Sequence, residues 1–232
     1  MRPAVGFAAV KVLEDAGMHV SIPENHTCCG QPAFNSGALA EAATIARQVI
    51  DNFEEFDYVV VPSGSCAVTL KHYFPEMFKD APEWQVRAEG MAAKVYEITD
   101  FLFSVLGWRP KGVSLDTTVT YHDSCSGLRE LGIHAQPREL LAAIDSLSIQ
   151  PLRDAERCCG FGGSFCVKYP EISTSIVSEK TARIRETGAD ILLAGDLGCL
   201  MNMAGTLSRD EAPVRCFHII EVLAGMADGD GI

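Results

Sequence analysis

Four cysteines in the second half of the chain have the residue type and spacing of ligands to a soft metal centre. They are Cys125, Cys158, Cys159 and Cys199. Structural zinc sites favour short Cys-x-x-Cys pairs, which this sequence lacks, and two adjacent thiolates rarely chelate one small tetrahedral ion. A larger iron-sulfur cluster offers several iron atoms, so neighbouring thiolates can reach different ones. The spacing therefore favours an iron-sulfur cluster over zinc, and a redox-active pair at Cys158 and Cys159 is a further alternative.

The cysteine pattern occurs twice in the chain. The tripeptide "CCG" at 28–30 returns at 158–160, an offset of 130 residues, and Cys66 is matched by Cys199, an offset of 133. Because two independent landmarks agree so closely, the sequence indicates a duplicated unit. The first-half counterpart of Cys125 would fall before residue 1, so we predict that this chain begins late and lacks an opening strand and a cysteine.

The first half thus offers three thiols rather than four: Cys28, Cys29 and Cys66. They are candidate cofactor ligands, but an incomplete set argues against a second full cluster. Cys166 and Cys216 lie in apolar stretches, where a free cysteine usually packs as a small buried hydrophobe. We predict a structural role for these two.

Polar residues beside the cysteines have two interpretations. Ser63 and Asp196 stand three residues before the last matched cysteine of each half, where they are weak ligands or, as we favour, turn residues. His122 and Asp123 directly precede the "SC" of the second half. They supply a hydrogen bond or a proton route beside the ligands, or Asp123 caps the turn, and the sequence leaves both open. His26 poses the same question.

Helical and strand patterns alternate along both halves. The apolar runs "DYVVV" and "DILLA" precede Cys66 and Cys199 and predict buried strands, whereas amphipathic patterns over 37–56 and 171–188 predict helices. Such alternation favours the α/β class. We expect two pseudo-repeated units, each with a small, mainly parallel sheet flanked by helices.

The connection between the two units is predicted to be a long helix over 84–107. Pro110 and Gly112 stop it, so we place the boundary there and expect repeats at 1–110 and 111–232.

Composition and charge exclude several classes of function. The chain has 232 residues and a formal net charge of -12 at pH 7, which argues against nucleic acid or an anionic membrane as the main partner. No apolar run is long enough to span a membrane, and the first 17 residues predict an amphipathic helix rather than a signal peptide. Nine cysteines, an odd number, fit metal or redox chemistry in a reducing cytoplasm better than a disulfide framework.

Five segments in order carry a family resemblance: "CCGQPAFNSG", "VVPSGSC", "YHDSC", "CCGFGGSF" and "GCLMN". Across nearly the whole chain they resemble the two-repeat, cysteine-rich CCG-domain family, and within it the lactate-utilisation proteins. The motif is similar to those of the glycolate oxidase iron-sulfur subunit and of the cysteine-rich subunits of heterodisulfide reductase and anaerobic glycerol-3-phosphate dehydrogenase. In heterodisulfide reductase, cysteines stand where this chain has Ser63 and Asp196, which favours a conventional or altered cluster over a noncubane one.

The resemblance implies an iron-sulfur electron-transfer subunit of a complex that oxidises L-lactate to pyruvate. Its implied partners are the other lactate-utilisation proteins, protein B, which is ferredoxin-like, and protein C. The implied metal ligands, for a [4Fe-4S] cluster in the second repeat, are Cys125, Cys158, Cys159 and Cys199. The first-half positions carried over as cofactor-binding are Cys28, Cys29 and Cys66. The alternatives are a thiol/disulfide oxidoreductase of heterodisulfide-reductase type, an iron-sulfur component of a glycolate or glycerol-3-phosphate oxidase, and a zinc-stapled scaffold.

Overall fold

Two parallel β-sheets flanked by helices make up the computed structural model, which describes residues 2–229 and 231–232. In chain order the first half contains α1 (Pro3–Asp15), α2 (Gln31–Asn35), α3 (Leu39–Phe53), β1 (Val59–Val61), α4 (Gly64–Val68), a π-helical turn (Thr69–Tyr73), α5 (Phe74–Met77), α6 (Pro82–Ala92), β2 (Val95–Glu97), α7 (Ile98–Asp100) and a second π-helical turn (Phe101–Val105). The second half contains β3 (Ser114–His122), α8 (Cys125–Leu131), α9 (Ala135–Leu141), β4 (Asp145–Ile149), α10 (Phe165–Lys168), α11 (Pro170–Glu186), β5 (Ile191–Ala194), α12 (Leu197–Arg209), β6 (Arg215–His218) and α13 (Ile219–Leu223). The predicted α/β class with small parallel sheets is confirmed.

The larger sheet has the strand order β4-β3-β5-β6, and every pair in it is parallel. All four residues of β5 are buried because this strand has a neighbour on each side and helices over its faces. The smaller sheet pairs β1 with β2, also in parallel. Parallel strands end at a common edge, so the loops that follow them share one side of each sheet.

The two halves share one hydrophobic core. Helix α1 begins with Pro3 in its first turn and buries Val5, Ala8 and Val12, which recur at helical spacing. These residues pack in the same cluster as Phe217 of β6 and Ile219 of α13, near the other end of the chain. The first-half helix therefore stabilises the second-half sheet directly, and the predicted boundary after residue 110 stays a prediction.

The expected single helix over 84–107 is wrong. Helix α6 ends at Ala92, and β2 then pairs in register with β1. Glu97 ends β2 and caps α7, since its side chain accepts hydrogen bonds from the backbone N–H groups of Thr99 and Asp100. The β-branched and aromatic residues of β2 gain more from pairing with β1 than from continuing a helix, a tertiary preference that helical periodicity cannot reveal. Across the described residues, no helix is both long and apolar enough to cross a membrane.

Gly64 marks the closest approach of α4 to α8. A Cβ at this position would lie 2.9 Å from Ser124 Oγ and 3.1 Å from the backbone nitrogen of Gly127. We expect Gly64→Ala to lower the free energy of unfolding by about 1–3 kcal/mol, the usual cost of overpacking. Gly90, within α6, has nothing within 4 Å of such a Cβ, so Gly90→Ala should raise stability by up to about 1 kcal/mol. Urea unfolding of both variants tests the pair, and equal gains would contradict the close approach.

Candidate metal centre

The second half builds a thiol site at the carboxyl edge of the four-stranded sheet. Strands β3 and β5 are parallel neighbours, so the loops after them leave the sheet on the same side. Cys125 opens α8 just after β3, and Cys199 lies in the first turn of α12 just after β5. Cys158 and Cys159 come from the loop ahead of α10.

The four second-half thiols are close enough to shift one another's pKa values. Cys158 interacts with Cys125 and with Cys159, and Cys159 also interacts with Cys199. The interaction with Cys125 lowers the pKa of Cys158 to about 2, and the same interaction, reinforced by burial, raises the pKa of Cys125. The interaction with Cys158, again with burial, raises the pKa of Cys159. The structure thus brings together all four cysteines chosen from the sequence, and such soft donors suit a metal-sulfur group.

His122 points into this thiol site. Its side chain is wholly buried, and neither ring nitrogen has a hydrogen-bond partner among the described residues. A ring nitrogen of His122 and the Sγ atoms of Cys159 and Cys199 all lie within 4.8 Å of one another. Burial lowers the pKa of His122 to about 4, so the imidazole is neutral at pH 7. An unpaired buried imidazole facing thiols fits a bound metal-sulfur group, which would give it a partner.

Asp123 does not cap the turn after β3. That role belongs to Ser124, whose Oγ accepts a hydrogen bond of 3.2 Å from the backbone N–H of Gly127. The buried Asp123 carboxylate instead forms a bidentate pair with Arg138 of α9, with distances of 2.7 and 2.8 Å. Asp123 therefore anchors α9 to the end of β3 and holds the strand end that carries the neighbouring imidazole.

The turn after the second vicinal pair brings backbone donors to sulfur. Gly160 has a φ of 82°, and its N–H lies 3.3 Å from Cys158 Sγ. A Cβ at Gly160 would approach Ser173 O to 2.7 Å, so this turn tolerates only glycine. Backbone N–H groups directed at sulfur stabilise a thiolate or an anionic cluster.

The first half holds a smaller thiol pair. Cys29 Sγ lies 3.3 Å from Cys66 Sγ, and this contact raises the pKa of Cys29 and lowers that of Cys66. Cys28 is exposed. His26 is also exposed, and its Nδ1 lies 2.8 Å from the carbonyl oxygen of Pro23.

Asp196 joins the two thiol sites. Its Oδ1 accepts hydrogen bonds from the backbone N–H groups of Gly198 (3.1 Å) and Cys199 (3.4 Å), which caps α12. Its Oδ2 accepts from Ser63 Oγ (3.0 Å), Ser65 N (3.1 Å) and Ser65 Oγ (2.7 Å) in the first-half loop that carries Cys66.

Ser63 in turn caps α4 through the backbone N–H of Cys66 at 3.4 Å. The favoured interpretation of Ser63 and Asp196 as turn residues is confirmed, and the pairing between them is a finding of the structure.

Among the described residues, the thiols of Cys166 and Cys216 contact backbone carbonyl oxygens rather than any of these four thiols. Cys216 is buried in an apolar cluster, as predicted, and burial raises its pKa to about 12. Cys166 is half-buried, and its Sγ donates to Gly163 O at 3.3 Å.

Sequence reasoning missed two residues beside the site, Lys180 and Asn202. Lys180 is 2% exposed, although a lysine in the middle of a helix normally predicts a solvated face. Asn202 Nδ2 donates to the carbonyl oxygen of Cys159 at 2.8 Å and fixes the vicinal pair against α12. The motif "GCLMN" places Asn202 three residues after Cys199. On a helix this spacing puts both side chains on one face, so the sequence could have indicated that Asn202 lies beside the site.

A duplicated α/β unit with vicinal cysteines in its loops and single cysteines just after its strands defines a cysteine-rich class of domain. The chain belongs to the CCG cysteine-rich domain family, whose model matches residues 1–71 and 119–204.

Similar proteins within this class carry the name lactate utilization protein A. The protein from Geobacillus kaustophilus is 48% identical over 219 residues, covering 94% of this chain and 91% of that protein. The protein from Bacillus pumilus is 46% identical over 223 residues, covering 96% of this chain and 93% of that protein. The protein from Exiguobacterium sp. is 45% identical over 223 residues, covering 95% of this chain and 91% of that protein.

A solved structure shares the fold. It is that of a hypothetical protein from Helicobacter pylori, with a TM-score of 0.67, 12% identity and coverage of 99% of this chain. The present chain spans 47% of the length of that protein, and the likeness extends to the fold alone.

Proposed function

We propose that this chain is the iron-sulfur electron-transfer subunit of a complex that oxidises L-lactate to pyruvate. The observation that supports it best is the second-half site, where four thiols shift one another's pKa values and two of them, Cys159 and Cys199, lie beside an unpaired, neutral His122. The substrate comes from the name of the similar proteins, lactate utilization protein A.

The ligands we assign to a [4Fe-4S] cluster are Cys125, Cys158, Cys159 and Cys199. Such a cluster supplies a relay for single electrons when it is bound. The chain's own residues set its surroundings: Cys159, Cys199 and His122 are buried, and the Gly160 N–H is directed at Cys158. Cys158 is exposed, so a partner protein can approach the site from that side.

The first-half thiols have a lesser role in this proposal. Cys28, Cys29 and Cys66 form a second, incomplete cofactor position, linked to the first through Asp196. We place the two repeats at 1–110 and 111–232, the protein in the cytoplasm, and the ferredoxin-like protein B and protein C of the lactate-utilisation system as its partners.

Iron and sulfide analysis of anaerobically purified protein tests the proposal. We expect a brown protein with broad visible absorbance and several iron and sulfide ions per chain. A colourless chain that takes up no iron on anaerobic reconstitution would overturn it. One tightly held zinc ion in place of iron would instead support a scaffold that only assembles partner proteins.

A further inference from the structure

A cavity of about 280 Å³ opens beside Cys158. Its lining includes four cationic side chains and one acidic side chain: Arg129, Arg157, Lys180 and Arg183 against Glu179. This concentration of positive charge occurs in a chain whose net charge is -12. It lies at one wall of the thiol site and has no part in holding the thiols.

Two helices and one loop build the cavity. Ile176, Glu179, Lys180 and Arg183 recur at helical spacing and share one face of α11. Arg129 lies one helical turn after Cys125 on α8, and Arg157 directly precedes the vicinal pair. Arg129 and Arg157 therefore share their elements with thiols of the site, whereas α11 contributes cations and no thiol.

The charges in this cavity are not balanced internally. Glu179 pairs with both Arg157 and Arg183, and Arg183 also pairs with Asp154. Arg129 and Lys180 have no carboxylate oxygen within 4.0 Å in the part of the chain that the structure describes.

Lys180 is nearly fully buried, and its ammonium has three N–H groups to donate. Two of them go to the carbonyl oxygens of Asp154 (3.0 Å) and Ala155 (2.7 Å), and Arg129 donates only to the carbonyl oxygen of Glu156, at 3.4 Å. A buried ammonium that no carboxylate pairs with directly is costly, so this cavity is suited to an anion from outside the chain.

We propose that the cavity binds a small organic monocarboxylate, held by Arg129 and Lys180 with its apolar part against Ile176. The planar guanidinium matches a carboxylate in a two-point contact, and the ammonium adds a second cation. Glu179 on the same wall repels a dianion such as phosphate more strongly than a monoanion, and Ile176 offers an apolar contact that phosphate cannot use. The proposal deepens the proposed function and rests on it, because the bound carboxylate would lie beside Cys158, the exposed thiol of the site.

Binding of lactate and of lactamide to the reconstituted full chain tests this site by calorimetry. The two probes have nearly the same shape, but only lactate carries a charge. We expect saturable binding of lactate, weaker binding of lactamide by about tenfold or more, and a decline in lactate affinity with salt. Equal affinities for the two probes, or tighter binding of inorganic phosphate than of lactate, would overturn the proposal.

Arg129→Gln is the decisive variant, because Arg129 is exposed and its loss leaves the core intact. We expect it to weaken lactate binding by about tenfold, while the matched control Arg153→Gln, at an exposed arginine paired with Glu186, leaves binding unchanged. Equal effects of the two variants would overturn the assignment. Iron content and visible spectrum, measured on the same samples, report separately on the proposed function. A chain that binds lactate but holds no iron would refute the proposed electron-transfer function and leave the lactate site standing.

Discussion

Either substitution, Cys158→Ser or Cys199→Ser, is expected to abolish stable iron binding by this chain. Both thiols belong to the set of four that shift one another's pKa values at the end of the larger sheet. Loss of a partner that merely orients a ligand costs about 10- to 100-fold in metal affinity, so loss of a ligand should cost more than about 100-fold. Iron and sulfide per chain after anaerobic reconstitution, together with the visible spectrum, give the measurement.

Cys28→Ser is the matched control for Cys158→Ser. The two cysteines occupy the same position in the repeat, both are exposed, and each is the first residue of a Cys-Cys-Gly turn. We expect Cys28→Ser to retain the cluster, because Cys28 is not one of the four ligands assigned to it. Equal iron loss in both variants would show that the two halves bind iron jointly. Cys166→Ser, outside both thiol groups, checks for general loss of folding.

Asp196→Ala is expected to lower the free energy of unfolding by about 3–4 kcal/mol. The substitution removes the cap of α12, worth about 1 kcal/mol, and also removes the carboxylate that accepts hydrogen bonds from the partly buried hydroxyls of Ser63 and Ser65. Hydrogen bonds to a charged group contribute about 1.5–3 kcal/mol, which supplies the remainder. Urea unfolding at pH 7, followed by circular dichroism, measures the loss.

Two controls bracket the effect of Asp196. Ser63→Ala removes one partner of the bridge and should cost about 1 kcal/mol, and Asp116→Ala, at an exposed carboxylate, should stay within about 0.5 kcal/mol of the parent. A loss in Asp196→Ala no greater than in Ser63→Ala would contradict a role in joining the halves. Amide exchange should also show faster opening of α4 in Asp196→Ala, because the first-half loop loses its anchor.

The sequence predicted the parts of this molecule that depend on local pattern and repetition. Duplicated Cys-Cys-Gly turns and two apolar runs ahead of Cys66 and Cys199 were enough to predict parallel sheets with thiols at their edges. The prediction of a helix over 84–107 was wrong because β2 pairs with β1, which lies about 35 residues earlier in the chain. Secondary structure that is stabilised by a distant partner leaves little trace in local periodicity.

The properties of the thiol site also fall into those that follow from the sequence and those that depend on tertiary packing. The sequence by itself determined which atoms could bind a soft metal, since thiols are rare and their spacing repeats. Only the tertiary structure decided that His122 faces them without a partner, that Lys180 is buried, and that Ser63 meets Asp196. Each of these outcomes depends on elements far apart in sequence that pack together. The free energy of a buried polar group is set by the partners it meets there, which its own neighbours in sequence do not specify.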